Sequence, residues 1–195
     1  MKKIHWFSLI CMVSNAAANV ALCVSIRGIS PFGMLIALVP SLIVPLGVLL
    51  YLLCGDLFGK GKNVLFSVLM SWQLLMAMRG LWSTVPTVAS VSTIQTWGIF
   101  AVDVLMLGGT VLLLVGSLRG FRRVKLYKIG AFLNAGITVL YLVCSFVGAL
   151  VVSYFESVPD GVSPVNWLSL AKFVTTFLFY AGLGVLGGEK KEDNG

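Results

Sequence analysis

The chain has 195 residues, of which 58% are hydrophobic and only 11% charged, with a mean hydropathy of +1.00. That charged share is less than half of the ~25% usual in soluble domains, so a water-soluble globular fold is excluded as the first expectation. The formal charge of +7 would point to nucleic acid in a soluble protein. Here the cations cluster between apolar runs, no basic groove with interleaved aromatics is visible, and membrane headgroups are the natural counter-charge.

A helix rises ~1.5 Å per residue, so ~20 apolar residues span a hydrocarbon core of ~30 Å. Six apolar runs meet that test, and the expected fold is all-α: a polytopic bundle of six transmembrane helices. In chain order they are Ile4–Ile26, Met34–Cys54, Val64–Trp82, Thr96–Leu118, Ile129–Tyr154 and Leu170–Leu186. One membrane domain, residues 1–188, accounts for them, followed by a short polar tail over 189–195. The breaks carry turn residues, among them Ser30-Pro31, Gly55-Asp56, Gly61-Lys62 and Pro159-Asp160-Gly161.

The first segment admits two readings. Lys2-Lys3 followed by an apolar run and Ser14-Asn15-Ala16-Ala17-Ala18 has the form of a cleavable signal peptide. The apolar character continues past Ala18 to Ile26, longer than a signal core, which favours a retained helix. On its face, Ala17, Ala21 and Ser25 recur at four-residue steps, a pattern that lets another helix approach closely. Ala131/Ala135 and Gly184/Gly188 repeat the spacing. Such faces serve packing within the bundle or docking of another membrane subunit.

The segment Ala17-Ala18-Asn19-Val20-Ala21 resembles the Ala-x-x-x-Ala motif on the first helix of the six-helix substrate-binding subunits of energy-coupling-factor vitamin transporters. The resemblance covers five residues and the helix number. It implies a solute-binding membrane subunit with both termini in the cytoplasm; the outer loops carry no vitamin-specific signature.

Charge gives the orientation. Lys2, Lys3, Lys60, Lys62, Arg119, Arg122, Arg123, Lys125, Lys128, Lys190 and Lys191 share one side, against Arg27, Arg79 and Lys172 on the other. Cationic loops stay in the cytoplasm, so both termini are expected inside. The compact loops and lack of sorting signals point to a bacterial plasma membrane.

The residues of interest are polar groups inside apolar runs. Asp103 is the one acid within a span, and a charge near the bilayer centre costs ~2.5–3.5 kcal/mol on insertion scales. Arg79, near the outer end of the preceding helix, lies at comparable depth and is the expected ion-pair partner; the alternative has Arg79 snorkelling to headgroups. Thr96, Asp103, Thr110 and Ser117 recur every seven residues on one face of the fourth helix. Asn134, Thr138, Tyr141 and Ser145 form a stripe on the fifth, Ser8, Asn15 and Asn19 on the first, Thr176 and Tyr180 on the sixth. Gln73 adds a polar group to the third, whereas the second carries Pro40 and Pro45 instead of a stripe.

These stripes predict a partly polar interior. A substrate path or intramembrane polar network would draw on Asn15, Asn19, Gln73, Arg79, Asp103, Asn134 and Tyr141. Structural glue is the competing expectation, because Ser and Thr in such helices commonly bond their own backbone.

Several chemistries lack their residues. The single histidine, His5, cannot make a zinc-protease pair or serve a serine nucleophile, and one intramembrane acid cannot make an aspartyl dyad. No phosphate-cradling loop motif occurs. Cys11, Cys23, Cys54 and Cys144 lie in or at the ends of apolar runs without metal-site spacing. Catalysis, a metal and a cofactor are therefore not expected. The expected partners are the lipid bilayer, a small-molecule solute and another membrane subunit, with no nucleic acid. The function expected is a small-solute transport or substrate-binding subunit; the alternative is an accessory protein acting through helix contacts.

Overall fold

The computed structural model describes residues 6–25, 30–54, 57, 61–90, 94–121, 123–155 and 167–186. Among the described residues all regular structure is helical: α1 (Trp6–Ser25), α2 (Pro31–Cys54), α3 (Gly61–Ser90), α4 (Ile94–Phe121), α5 (Val124–Phe155) and α6 (Trp167–Leu186). Five of them carry stretches long and apolar enough to cross a membrane, and the apolar part of α6, Leu170–Leu186, is shorter. The expected polar tail over 189–195, His5, and the cation-rich residues Lys190 and Lys191 lie outside the described residues.

All the helices but α1 are longer than the apolar runs that announced them, for identifiable reasons. α2 starts at Pro31, not Met34, because Ser30-Pro31 is a start signal. The Ser30 hydroxyl accepts from the Gly33 amide at 3.1 Å and its carbonyl from the Met34 amide at 2.9 Å, while proline suits the first helical position. α5 begins at Val124, five residues early, since Lys125 and Lys128 are good helix formers and charge is no obstacle in a helix's first turns outside an apolar layer. α3 continues eight residues beyond Trp82, passing through Pro86 to Ser90.

Each helix packs on its neighbour in sequence and α6 returns to α1, so the six close into a ring. Paired residues run in opposite order on adjacent helices. Gly47 meets Leu69 and Pro40 meets Trp72 across α2 and α3, while Gly116 meets Tyr127 and Gly109 meets Asn134 across α4 and α5. Neighbours are therefore antiparallel, as their short connections require.

The α4–α5 contact is the closest. A Cβ at Gly116 would strike the backbone of Tyr127, and one at Gly130 would strike the Gly109 carbonyl and lie 2.7 Å from the Leu113 amide nitrogen. Removing side chains at these points brings two backbones together, the usual device for helix association where hydrophobic drive is absent. On α6, Gly184 similarly admits the Ala131 methyl and Phe132 ring of α5. The small residues of α5 and α6 thus pack inside the bundle. Those of α1 do not: Ala17, Ala21 and Ser25 are exposed, and the Ser25 hydroxyl bonds its own helix at Leu22. The inward face of α1 is instead Ser8, Cys11, Met12, Asn15 and Asn19, related by three- and four-residue steps.

Burial is uneven along the ring. On α3 the buried residues are Phe66, Leu69 and Met70, all in the first third of a 30-residue helix. On α6 the buried side chains lie between Phe179 and Gly184, near its end, and on α4 between Gly109 and Ser117. These all belong to the end that carries Lys62, Arg123, Lys125 and Lys128, here termed the basic end. There Tyr51, Phe66 and Tyr127 stack as a plug, with centroids 4.9 Å and 6.0 Å apart, and Met12, Val48, Met70, Leu113 and Leu183 fill the space beside them. Lys62 caps the plug with its ammonium 4.9 Å from the Tyr51 ring centroid. Among the described residues of the opposite half, none is fully buried except near the mid-plane.

Gly116→Ala is expected to destabilise the protein by ~1–3 kcal/mol, because the added methyl meets backbone that cannot rotate away. Gly136→Ala, where nothing lies within 4 Å, should be neutral or slightly stabilising. Thermal or SDS unfolding of the two purified variants in detergent measures the contrast.

Candidate functional site

Asp103 lies on the face of α4 that also carries Thr110 and Ser117, both buried, whereas Leu105, Gly108 and Val111 face outward. The carboxylate therefore points into the ring, some 18 residues from the basic end of its helix and beyond the packed half. Two neighbours reach it from either side. The Thr84 hydroxyl of α3 donates to Oδ2 at 2.7 Å, and the Tyr141 hydroxyl of α5 donates to Oδ1 at 3.2 Å. The Tyr141 ring stacks on Phe173 of α6 at 6.0 Å between centroids and 12° between planes. Four helices thus meet around one acid, and Asp103, Thr84, Tyr141 and Phe173 all keep partial exposure.

The ion pair expected between Arg79 and Asp103 does not form. Arg79 is exposed, on the outward side of α3 with Leu75, Met78 and Trp82. The reason is angular. Thr84 occupies the inward face of α3, and five residues separate it from Arg79, which turns the arginine about 140° away. Thr84, five residues and so ~7.5 Å farther along α3, is the residue level with Asp103.

The remaining polar residues form separate groups and not one chain. Gln73 Nε2 donates to the Tyr180 hydroxyl at 2.8 Å, a strut from α3 to α6 across the ring. Asn19 donates to the carbonyl and side-chain oxygen of Asn15, 3.0 Å and 3.1 Å away, within α1. Asn134 on α5 donates to the Thr110 hydroxyl of α4 at 3.2 Å, and its Oδ1, pressed over Gly109, is buried without a hydrogen-bond partner. A glycine is needed there because any side chain at position 109 would overlap the Asn134 amide. Other hydroxyls serve as glue. Thr110, Ser117 and Thr138 bond carbonyls three or four residues back on their own helices, and Ser8 ties α1 to the Gly182 carbonyl of α6 at 2.9 Å.

Thr84, Phe173 and Trp72 were not legible as site residues. Thr84 fell beyond the expected end of the third span, and the aromatic residues looked like ordinary apolar filling. The Trp72 indole donates to the Pro40 carbonyl at 3.2 Å, joining α2 to α3 at the middle of the bundle. The described cysteines Cys11, Cys23 and Cys54 are free thiols, and the described residues contain no cluster of three or more His, Cys, Asp or Glu able to hold a metal. The Cys144 and Ser145 side chains lie outside the described residues.

What this arrangement can do chemically is limited and specific. Tyr141 gives its hydrogen to the carboxylate, and the one hydrogen of Thr84 is shared between Asp103 Oδ2 at 2.7 Å and the Gly80 and Leu81 carbonyls, each at 3.0 Å, so the oxygen lone pairs left over around Asp103 are acceptors. The site can hold a cationic or hydrogen-bond-donating group.

Double-mutant cycles separate the two proposed partners of the acid. Thr84→Val with Asp103→Asn should give a coupling energy of ~0.6 kcal/mol or more, the scale of interhelical hydrogen bonds in membrane proteins. Arg79→Ala with Asp103→Asn should give a coupling near zero. Equilibrium unfolding in mixed micelles reads both.

No protein-family model matches this chain, and searches of curated proteins and of solved structures likewise returned no match.

Proposed function

We propose that the chain is a small-solute transport or substrate-binding subunit of a bacterial plasma membrane, with both termini in the cytoplasm. The basic end then lies inside, following the cationic-loop rule. The packed aromatic plug of Tyr51, Phe66 and Tyr127 then closes the cytoplasmic half, and the partly exposed Asp103 group lies in the outer half, where a solute would be held.

The observation that carries this reading is the contrast between the two halves of one ring. Hydroxyl and amide groups in the inner half are buried and mostly spend their hydrogen bonds on nearby backbone, which is what structural glue does. Asp103 in the outer half is different. It is an intramembrane acid held by two hydroxyls, without an arginine, and such residues in a bundle mark ion, proton or solute pathways.

The rival reading, an accessory subunit that acts through helix faces, draws on the exposed Ala17, Ala21 and Ser25 stripe of α1. It does not account for the acid. The Ala17–Ala21 motif is shared between the two readings, since the solute-binding subunits it resembles also dock a partner.

Water-soluble maleimide labelling of single cysteines, in a background lacking the native four, tests the cavity. Cysteines at Thr96 and Phe100 should react from the outside, and those at Thr110 and Ser117, which are buried, should be protected. Uniform protection at all four positions overturns the cavity.

A further inference from the structure

We infer that the Asp103 group binds a monovalent organic ammonium ion bearing an apolar or aromatic substituent; this deepens the solute-binding proposal above and rests on it. Three features of the site select that class. The first is charge. Asp103 is the one acid within an apolar span, and its contacts among the described residues are two hydroxyl donors with no cation beside them. A single negative charge is matched by a single positive one. Divalent metals, which gather several carboxylate or carbonyl oxygens, find no such set among the described residues.

The second is hydrogen-bond polarity. The Tyr141 hydroxyl donates its hydrogen to the carboxylate and keeps its lone pairs to accept, while the single hydrogen of Thr84 is shared among Asp103 Oδ2 and the Gly80 and Leu81 carbonyls of its own helix. A ligand entering there meets acceptors only. An ammonium N–H group satisfies them; a carboxylate, phosphate or carbonyl ligand is repelled.

The third is the wall. Tyr141 brings its ring to the acid through its own hydroxyl, and Phe173 lies nearly parallel to that ring at 6.0 Å. Phe100 stands about one helical turn from Asp103 on the same side of α4. Aromatic faces attract cations and also cover apolar substituents, a pairing that a bare alkali ion does not exploit. Carboxylate and flat aromatic surface side by side fit the two halves of an amphiphilic amine.

The same ammonium chemistry occurs on free amines and on ethanolamine lipid headgroups, and the test distinguishes them. Full-length protein in phosphatidylglycerol nanodiscs is titrated calorimetrically with benzylammonium chloride, with empty nanodiscs as the blank. Saturable binding with one site per chain is expected. Asp103→Asn should weaken it at least tenfold, and Phe173→Leu, which leaves the hydroxyl network intact, by severalfold. Neutral benzyl alcohol and potassium chloride should neither bind nor compete. Repeating the titration in nanodiscs containing phosphatidylethanolamine assigns the source: unchanged affinity marks a free amine, and competitive weakening marks the headgroup. Equal binding by the Asp103→Asn protein, equal binding of benzyl alcohol, or no saturable binding overturns the inference. If benzylammonium fails to bind while cysteines at Thr96 and Phe100 still label, the ammonium assignment falls and the cavity stands; if those cysteines are protected, both fall.

Discussion

The close approach of α4 and α5 sets the geometry of everything beyond it. Gly109, Gly116 and Gly130 remove the side chains that would hold the two helices apart, so the register between them is fixed by backbone contacts and not by compressible side chains. With Gly116 against Tyr127 and Thr110 against Asn134, the next inward-facing positions along the same two stripes are Asp103 and Tyr141. Their hydrogen bond is a consequence of that register. A slip of one residue on either helix rotates the donor about 100° away from the acceptor.

The acid imposes its own requirement. In the proposed bilayer setting an unaccompanied carboxylate costs several kcal/mol, and a hydroxyl recovers only part of that. Two hydroxyls from opposite neighbours recover more than one, and they also tie α3 and α5 to α4 at the level where packing has thinned out. The Gln73–Tyr180 strut joins α3 and α6, which are not adjacent in the ring, at the edge of the packed half, where Tyr180 is buried. Asp103, Thr84 and Tyr141 thus hold the less packed half together.

Much of this was legible in the sequence because the helical period is a strong constraint. Thr110 and Ser117 of the fourth-helix stripe are buried and Asp103 bonds to both neighbouring helices, Ser8, Asn15 and Asn19 are buried on α1, and six helices appear in the expected order. Three things were not legible. Helix ends were read from hydropathy alone, which misses Ser30-Pro31 as a start and hides the part of α3 that holds Thr84. Arg79 and Asp103 were matched by depth, a one-dimensional coordinate, whereas a side-chain contact also needs the right azimuth. Spacing left the small residues of α1 open between internal packing and docking, because it defines a face but not its direction; that face is exposed, with the buried Ser8–Asn19 face turned to the bundle.

Glue and the proposed cavity need not be alternatives for the bundle as a whole, because the two readings concern different halves of it. Back-bonded hydroxyls such as Thr110, Ser117 and Thr138 satisfy themselves locally, so burying them under large side chains costs little and specifies no ligand. Asp103 cannot satisfy itself locally, since a carboxylate has no hydrogen to give to its own backbone carbonyls. It depends on groups from other helices, and after accepting from Thr84 and Tyr141 it still has lone pairs to spare. A protein needing only adhesion at this level would be served by a serine or threonine on α4. The acid adds charge in a partly exposed position, which the solute-binding proposal uses and adhesion alone does not require.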